Sequence, residues 1–186
     1  DYLFLTPGSS FRGVHDSLVN HTRNHKPQII LVAHEEMAVA MAQGYSKATG
    51  KPTMCFLHDL VGVQHATMAF YNAMADRMPV IVLGGAGPAD PAQRRKTDWI
   101  HSAQAQCDIV RDVTKWTDEP ITLQSTLDSI VRAQKIATSA PASPTYVSVD
   151  VVVQEDEIPD GVAMPDTSLP RYQTPAPIAA PTEIIE

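Results

Sequence analysis

Residues 32–50, VAHEEMAVAMAQGYSKATG, decide the fold. An apolar run ending at Val32 and Ala33 reads as the end of a strand. His34-Glu35-Glu36 follow at once, and then a helix of small residues that Gly50 and Pro52 stop. The junction sets the Glu35 carboxylate at the mouth of a βα turn, and open α/β sheets bind ligands just beyond the carboxyl ends of their strands. Met37, Met41 and Tyr45 recur at helical spacing and predict a core-facing stripe, while Ala38, Ala40, Ala42 and Gly44 keep the helix slim. Glu36 is read as an acid favouring the positive helix end.

Working outward, strands and helices alternate. Strands are expected at 2–5, 28–33, 53–58, 79–84 and 145–151, and helices at 12–24, 35–49, 63–75 and 122–139. This rhythm predicts an α/β three-layer sandwich, with a mostly parallel central sheet and helices on both faces. A chain of 186 residues suits one domain with a tail, and a hydrophobic fraction of 44% is ordinary for a globular protein. The domain is expected to span 1–158. Six prolines between 159 and 181 mark 159–186 as a linker toward a further, missing domain, a disordered tail being the alternative. The chain opens on Asp1 and enters a strand directly, so the native polypeptide is expected to begin earlier.

A formal net charge of −7 argues against a nucleic-acid partner, and Arg94-Arg95-Lys96 reads as a solvated loop. No stretch reaches the roughly 18 apolar residues of a membrane span. Cys55 and Cys107, far apart and in apolar surroundings, read as free buried thiols in a reducing, cytoplasmic setting.

Three successive strands deliver chemistry to one sheet edge. Pro7-Gly8-Ser9 turns the first strand into the first helix, leaving Ser9 as either a helix cap or a site hydroxyl. Glu35 follows the second strand. His58 ends the third, and Gly62 then opens the next helix. Convergence of Ser9, Glu35 and His58 on one edge outweighs any of them singly.

These residues resemble the N-terminal, pyrimidine-binding domain of thiamine-diphosphate-dependent enzymes of the acetolactate synthase, pyruvate decarboxylase and benzoylformate decarboxylase group. The resemblance rests on His34-Glu35, on residues 44–52 (GYSKATGKP), and on Asn72-Ala73-Met74-Ala75-Asp76 with Met78-Pro79-Val80-Ile81-Val82. It covers about residues 2–158. Pro7-Gly8-Ser9, Leu57-His58 and residues 114–120 (TKWTDEP) resemble the benzoylformate decarboxylase branch in particular. Two departures stand out. The family's small, Gly-rich stretch is here Leu60-Val61-Gly62-Val63-Gln64-His65, with Gly62 alone retained, and Asp59 replaces a small residue beside the site. A large aromatic acid is therefore not implied as substrate.

The resemblance implies thiamine diphosphate and Mg2+ as cofactors. It gives Glu35 the task of activating the cofactor's aminopyrimidine so that the thiazolium carbon loses its proton, forming the ylide. A partly apolar pocket helps a carboxyl share its proton. It also implies proton transfer by His58, substrate carboxylate binding by Ser9, and close approach to the cofactor by Pro7, Gly8 and Gly62. No metal ligand is expected within this chain, since the family's Gly-Asp-Gly site for diphosphate and Mg2+ lies on a C-terminal domain and the sequence holds no Gly-Asp-Gly. The expected partners are a 2-keto acid and a second protomer of the same type, in a dimer or tetramer with the active site at their interface. The expected activity is 2-keto acid decarboxylation, with these 186 residues inactive alone. The alternatives are an acetolactate synthase-type carboligase, a natural small subunit of a split enzyme, and a non-catalytic binding or regulatory module that keeps the fold.

Overall fold

The computed structural model describes residues 1–176; residues 177–186 of the expected linker, with Pro177 and Pro181, lie outside the described residues. Six strands form one parallel sheet: β1 (Tyr2–Leu5), β2 (Gln28–Leu31), β3 (Thr53–Leu57), β4 (Val80–Ala86), β5 (Trp116–Asp118) and β6 (Thr145–Asp150), in the order β2-β1-β3-β4-β6-β5. The helices are α1 (Arg12–Asn20), α2 (Glu35–Thr49), α3 (Asp59–Ala75), the short α4 (Asp98–His101), α5 (Leu123–Thr138) and the short α6 (Val151–Glu155).

The period of two along each strand divides the core between the two faces. Phe4, Cys55, Leu57, Val80, Val82 and Tyr146 pack with Ala38, Val39 and Ala42 of α2, with Val63, Ala66 and Phe70 of α3, and with Val110. Leu3, Leu5, Ile29, Phe56, Ile81, Leu83 and Val147 pack on the other side, against Val14 and Leu18 of α1 and Ala133 and Ala137 of α5. This is the expected three-layer sandwich.

Local chemistry explains the boundaries. Gly50 takes the left-handed conformation (φ 69°), and its N–H donates to Ser46 O at 2.8 Å, ending α2 where the sequence places the stop. A reciprocal Thr122–Ser125 capping box opens α5. α1 ends at Asn20, four residues short of the expectation. Arg23 and Asn24 there adopt positive φ, and the Asn24 side chain accepts the Ile29 N–H at 2.6 Å, turning the chain into β2. α3 begins at Asp59 rather than at 63, because the acid starts the first turn and Gly62 N–H bonds to His58 O at 2.6 Å. The short edge strand β5, a 3₁₀ stretch at Gln106–Val113, and α4 and α6 were not expected.

The Met stripe faces the wrong way. Met37 and Met41 are 48% and 40% exposed, and Tyr45 alone of the three packs against the core. The buried arc of α2 is Glu35, Ala38, Val39, Ala42 and Ser46, because α2 lies close against α3 and β3 and small side chains fit that gap. Met37 and Met41 are left on the outer surface, as are Met68 and Tyr71 of α3.

Both cysteines are free and buried, and burial pushes both thiols well above their ordinary range. The folded protein is therefore expected to react with a thiol-specific disulfide reagent at pH 8 far more slowly than in denaturant. Fast labelling of either cysteine in the native state would contradict this burial. After α6 the chain runs along α5, where Tyr172 Oη donates to Asp128 at 2.7 Å and Lys135 Nζ to the Arg171 carbonyl at 2.7 Å.

Candidate functional site

The carboxyl ends of β1, β2 and β3 lie side by side in the sheet, so the segments after them share one edge. Glu35 is the first residue of α2 and only 8% exposed. His34 caps that helix, its Nδ1 accepting the Glu36 N–H at 3.2 Å. Glu35 Oε2 meets His65 Nδ1 at 3.0 Å, and the His65 ring stacks on His34 with centroids 4.7 Å apart. Gly62 makes this approach possible, since a Cβ there would stand 3.1 Å from Glu35 Cγ and 3.2 Å from Leu57 Cβ. Gly62 and His65, one helical turn apart on α3, thus face the same carboxylate.

His58 follows β3 directly, as the capping residue of α3, and forms the second half of the site. A Cβ on Gly8 would fall 2.6 Å from the His58 ring, so the Pro7-Gly8 turn can pass it only as glycine. His58 Nδ1 pairs with Ser10 Oγ at 2.9 Å, and that oxygen also accepts the Asp59 N–H at 3.2 Å. The other ring nitrogen, Nε2, lies 3.4 Å from Asp59 Oδ2. His101, from α4, stands edge-on to His58 at 5.6 Å between centroids.

Two adjoining clusters therefore form, Glu35 with His65 and His34, and His58 with Ser10, Asp59 and His101. The backbone of Gly62 and His58 joins them. Pro7 and Ser9 are exposed at the turn. Gly8 occupies the capping position of the short turn Ser9–Phe11, so Ser9 is not its cap, and Ser9 lies on the rim of a small cavity with Asp59 and His101. Ser10, His65 and His101 were missed. His65 was findable, lying three residues after Gly62 on the same helix; Ser10 was hidden by its twin Ser9. A cavity of about 180 Å³ beyond β4 and β6 is lined by Gly87, Arg94, Ser102, Gln106, Glu119 and Asp150, and not by Glu35 or His58.

Asp59 is 2% exposed, and burial pushes its carboxyl up, with His58 and His101 pulling the other way. A carboxyl raised in the folded state adds stability below its unfolded value, and that contribution is lost as pH rises through the folded one. Asp59→Asn is therefore expected to unfold at a higher temperature than the parent at pH 7–8 in chelator, with the gap narrowing as pH falls toward the ordinary carboxylate range. A variant less stable than the parent at pH 8 would contradict that sign.

The chain is similar to several known proteins. The chain is 28% identical over 173 residues to the mitochondrial acetolactate synthase catalytic subunit of Saccharomyces cerevisiae, covering 91% of the chain and 24% of that protein. It is 27% identical over 136 residues to benzoylformate decarboxylase of Pseudomonas aeruginosa, covering 72% and 25%. The chain spans about a quarter of the length of these curated relatives. A solved thiamine diphosphate-dependent 4-hydroxybenzoylformate decarboxylase of Rhodococcus jostii superposes with a TM-score of 0.75 over 96% of the chain and 31% of that structure, at 23% identity, which shows a shared fold. The family model described as "Thiamine pyrophosphate enzyme, N-terminal TPP binding domain" matches residues 1–111. That match takes in β1 to β4 and both clusters, and the chain accordingly belongs to the thiamine pyrophosphate enzyme family, as its N-terminal TPP binding domain.

Proposed function

We infer that this chain is the cofactor-activating domain of a thiamine-diphosphate-dependent 2-keto acid decarboxylase of the benzoylformate decarboxylase type. The observation that carries the reading is the Glu35 carboxylate, nearly buried at the sheet's carboxyl edge, with the exposed imidazole of His65 as its side-chain partner. A buried carboxylate is costly without a partner, and an exposed imidazole can be displaced by a ring nitrogen of a ligand. Gly62 keeps the space beside it free of a side chain. These residues fit an aminopyrimidine.

The cofactor, when bound, supplies a nucleophilic thiazolium carbon able to add to the carbonyl of a 2-keto acid. The chain's own residues do the rest. Glu35 holds and shares a proton at the pyrimidine ring nitrogen. Ser10 Oγ fixes the tautomer and orientation of His58, leaving Nε2 to move a proton to or from the reacting substrate. The exposed Ser9 hydroxyl holds the substrate carboxylate, and Pro7 and Gly8 let backbone come close. Diphosphate and Mg2+ are held by residues outside this chain, so the 186 residues alone turn over nothing. The domain ends near 158, with the proline-rich segment leading onward.

The open position of Glu35 calls for a second surface to close over the cofactor. Met37 and Met41 of α2 and Met68 and Tyr71 of α3, exposed on the helices that carry Glu35 and His65, suit an apolar contact with a second protomer of the same type. A carboligase of acetolactate synthase type is the second reading, favoured by the 91% coverage of the chain by its yeast relative.

The test is CO2 release by the longer protein from a panel of 2-keto acids, with and without thiamine diphosphate and Mg2+. Cofactor-dependent release with an aldehyde product supports the decarboxylase, whereas a hydroxy-keto acid product supports the carboligase. Absence of cofactor binding overturns both and leaves a non-catalytic module.

A further inference from the structure

His58, Asp59 and His101 each offer a ligand-type atom, and these atoms all lie within 4.8 Å of one another. We propose that these three side chains form a site for a divalent first-row transition ion of the zinc class, distinct from the Mg2+ expected with the cofactor diphosphate. Two imidazoles with one carboxylate suit zinc, cobalt or iron(II), and not Mg2+ or Ca2+, which take oxygen ligands. Donors on a tetrahedral ion of this class stand about 3.3 Å apart, given bonds of about 2.0–2.1 Å. His58 Nε2 and Asp59 Oδ2 are already 3.4 Å apart. A turn of the half-buried His101 side chain, at the end of α4, completes the set.

The surroundings have the features a metal site needs. A metal-bound imidazole usually donates its second ring N–H to a fixed acceptor. Here His58 Nδ1 already points at Ser10 Oγ, 2.9 Å away, which leaves Nε2 for the ion. Asp59 is buried; its Oδ1 takes the Val61 N–H at 3.3 Å, and Oδ2 faces His58. The neighbouring Asp98 is neutralised by Arg95 at 3.1 Å, so with neutral imidazoles the locale keeps one uncompensated negative charge. A cavity of about 20 Å³ adjoins the cluster, lined by Ser10, Asp59, Asp98, His101 and Ser102 among others, with room for one water. The Ser102 hydroxyl is buried there with no hydrogen-bond partner among the described residues and is free to bond a water held in the fourth coordination position.

The other group whose ligand-type atoms lie within 4.8 Å of one another, His34, Glu35 and His65, differs in its surroundings: both imidazoles are exposed and stack on each other, and His65 Nδ1 is already paired with Glu35 at 3.0 Å. It serves as the control. An ion at His58 would also occupy the Nε2 that moves protons on the reading above, so loading would lower turnover reversibly. That consequence rests on the proposed function, but the binding does not.

The test uses the protein free of affinity tag and thiamine diphosphate, stripped with chelator and titrated with Co2+ while its visible absorption is followed. The expected result is one equivalent with the intense bands of a tetrahedral site. Asp59→Asn and His101→Ala should each weaken that binding at least about tenfold, the smallest loss expected even for an outer-shell partner, and His65→Ala should leave it unchanged. His101→Ala, at a half-buried side chain, leaves the buried core intact and tests the site independently of the buried Asp59. Absence of the tetrahedral spectrum, equal binding by His101→Ala, or loss of binding in His65→Ala overturns the proposal.

Discussion

Glu35→Gln in the longer protein is expected to lower kcat by at least about 100-fold, the lower end of the range for a positioned proton-transfer group, with cofactor affinity changed far less. Glutamine matches glutamate in size and can still accept from His65, the 3.0 Å partner of Glu35, so the junction of α2 and α3 should hold its shape. What it cannot do is take up and release a proton. The diphosphate, held elsewhere on this account, should keep the cofactor bound. Steady-state CO2 release with a cofactor titration checks both halves. Unchanged kcat would remove Glu35 from the chemistry; a purely affinity-based loss would make it a binding residue.

The second large effect is on stability. A Cβ on Gly85 of β4 would lie 2.5 Å from Ser10 Cβ, and closer still to the Ser10 hydroxyl and carbonyl oxygen. A carbonyl oxygen belongs to the backbone and cannot swing aside, and Gly85 O is itself tied to Gln106 Nε2 at 2.8 Å. Gly85→Ala is therefore expected to cost about 3 kcal/mol, at the upper end for overpacking, which lowers the unfolding temperature by about 6–12 °C in a domain of this size. It should also displace Ser10 from His58. Gly44→Ala is the contrasting control. Its Cβ meets nothing within 4 Å among the described residues, on the exposed side of α2, so it should stabilise by about 0.5–1 kcal/mol through helix propensity alone. Thermal unfolding of the two variants beside the parent decides, and a Gly85→Ala midpoint equal to the parent's would contradict the packing described.

These two cases also mark what a linear reading can reach. α2 was legible to the residue, because His34 and Gly50 punctuate it and both signals are local. Its buried face was not, because Met37, Met41 and Tyr45 form a regular stripe by themselves. Only the closeness of α3 selects Ala38, Val39 and Ala42 for the interior. β5 escaped notice because three residues beside Pro120 are too short to show a period. Glu35 and His58 were legible as candidates since each falls in the short junction between a strand and the next helix. Ser10 and His101 become site neighbours through contacts across more than 40 residues, which no spacing rule carries.

The central claim is that Glu35 promotes loss of the proton on the cofactor's reactive carbon. The most direct measurement is hydrogen–deuterium exchange at that carbon, by quenched-flow NMR, in the longer protein loaded with thiamine diphosphate and Mg2+ but without substrate. The account predicts exchange far faster than in free cofactor, and slowed at least about 100-fold by Glu35→Gln while the cofactor stays bound. Equal exchange rates in the parent and the variant would contradict it.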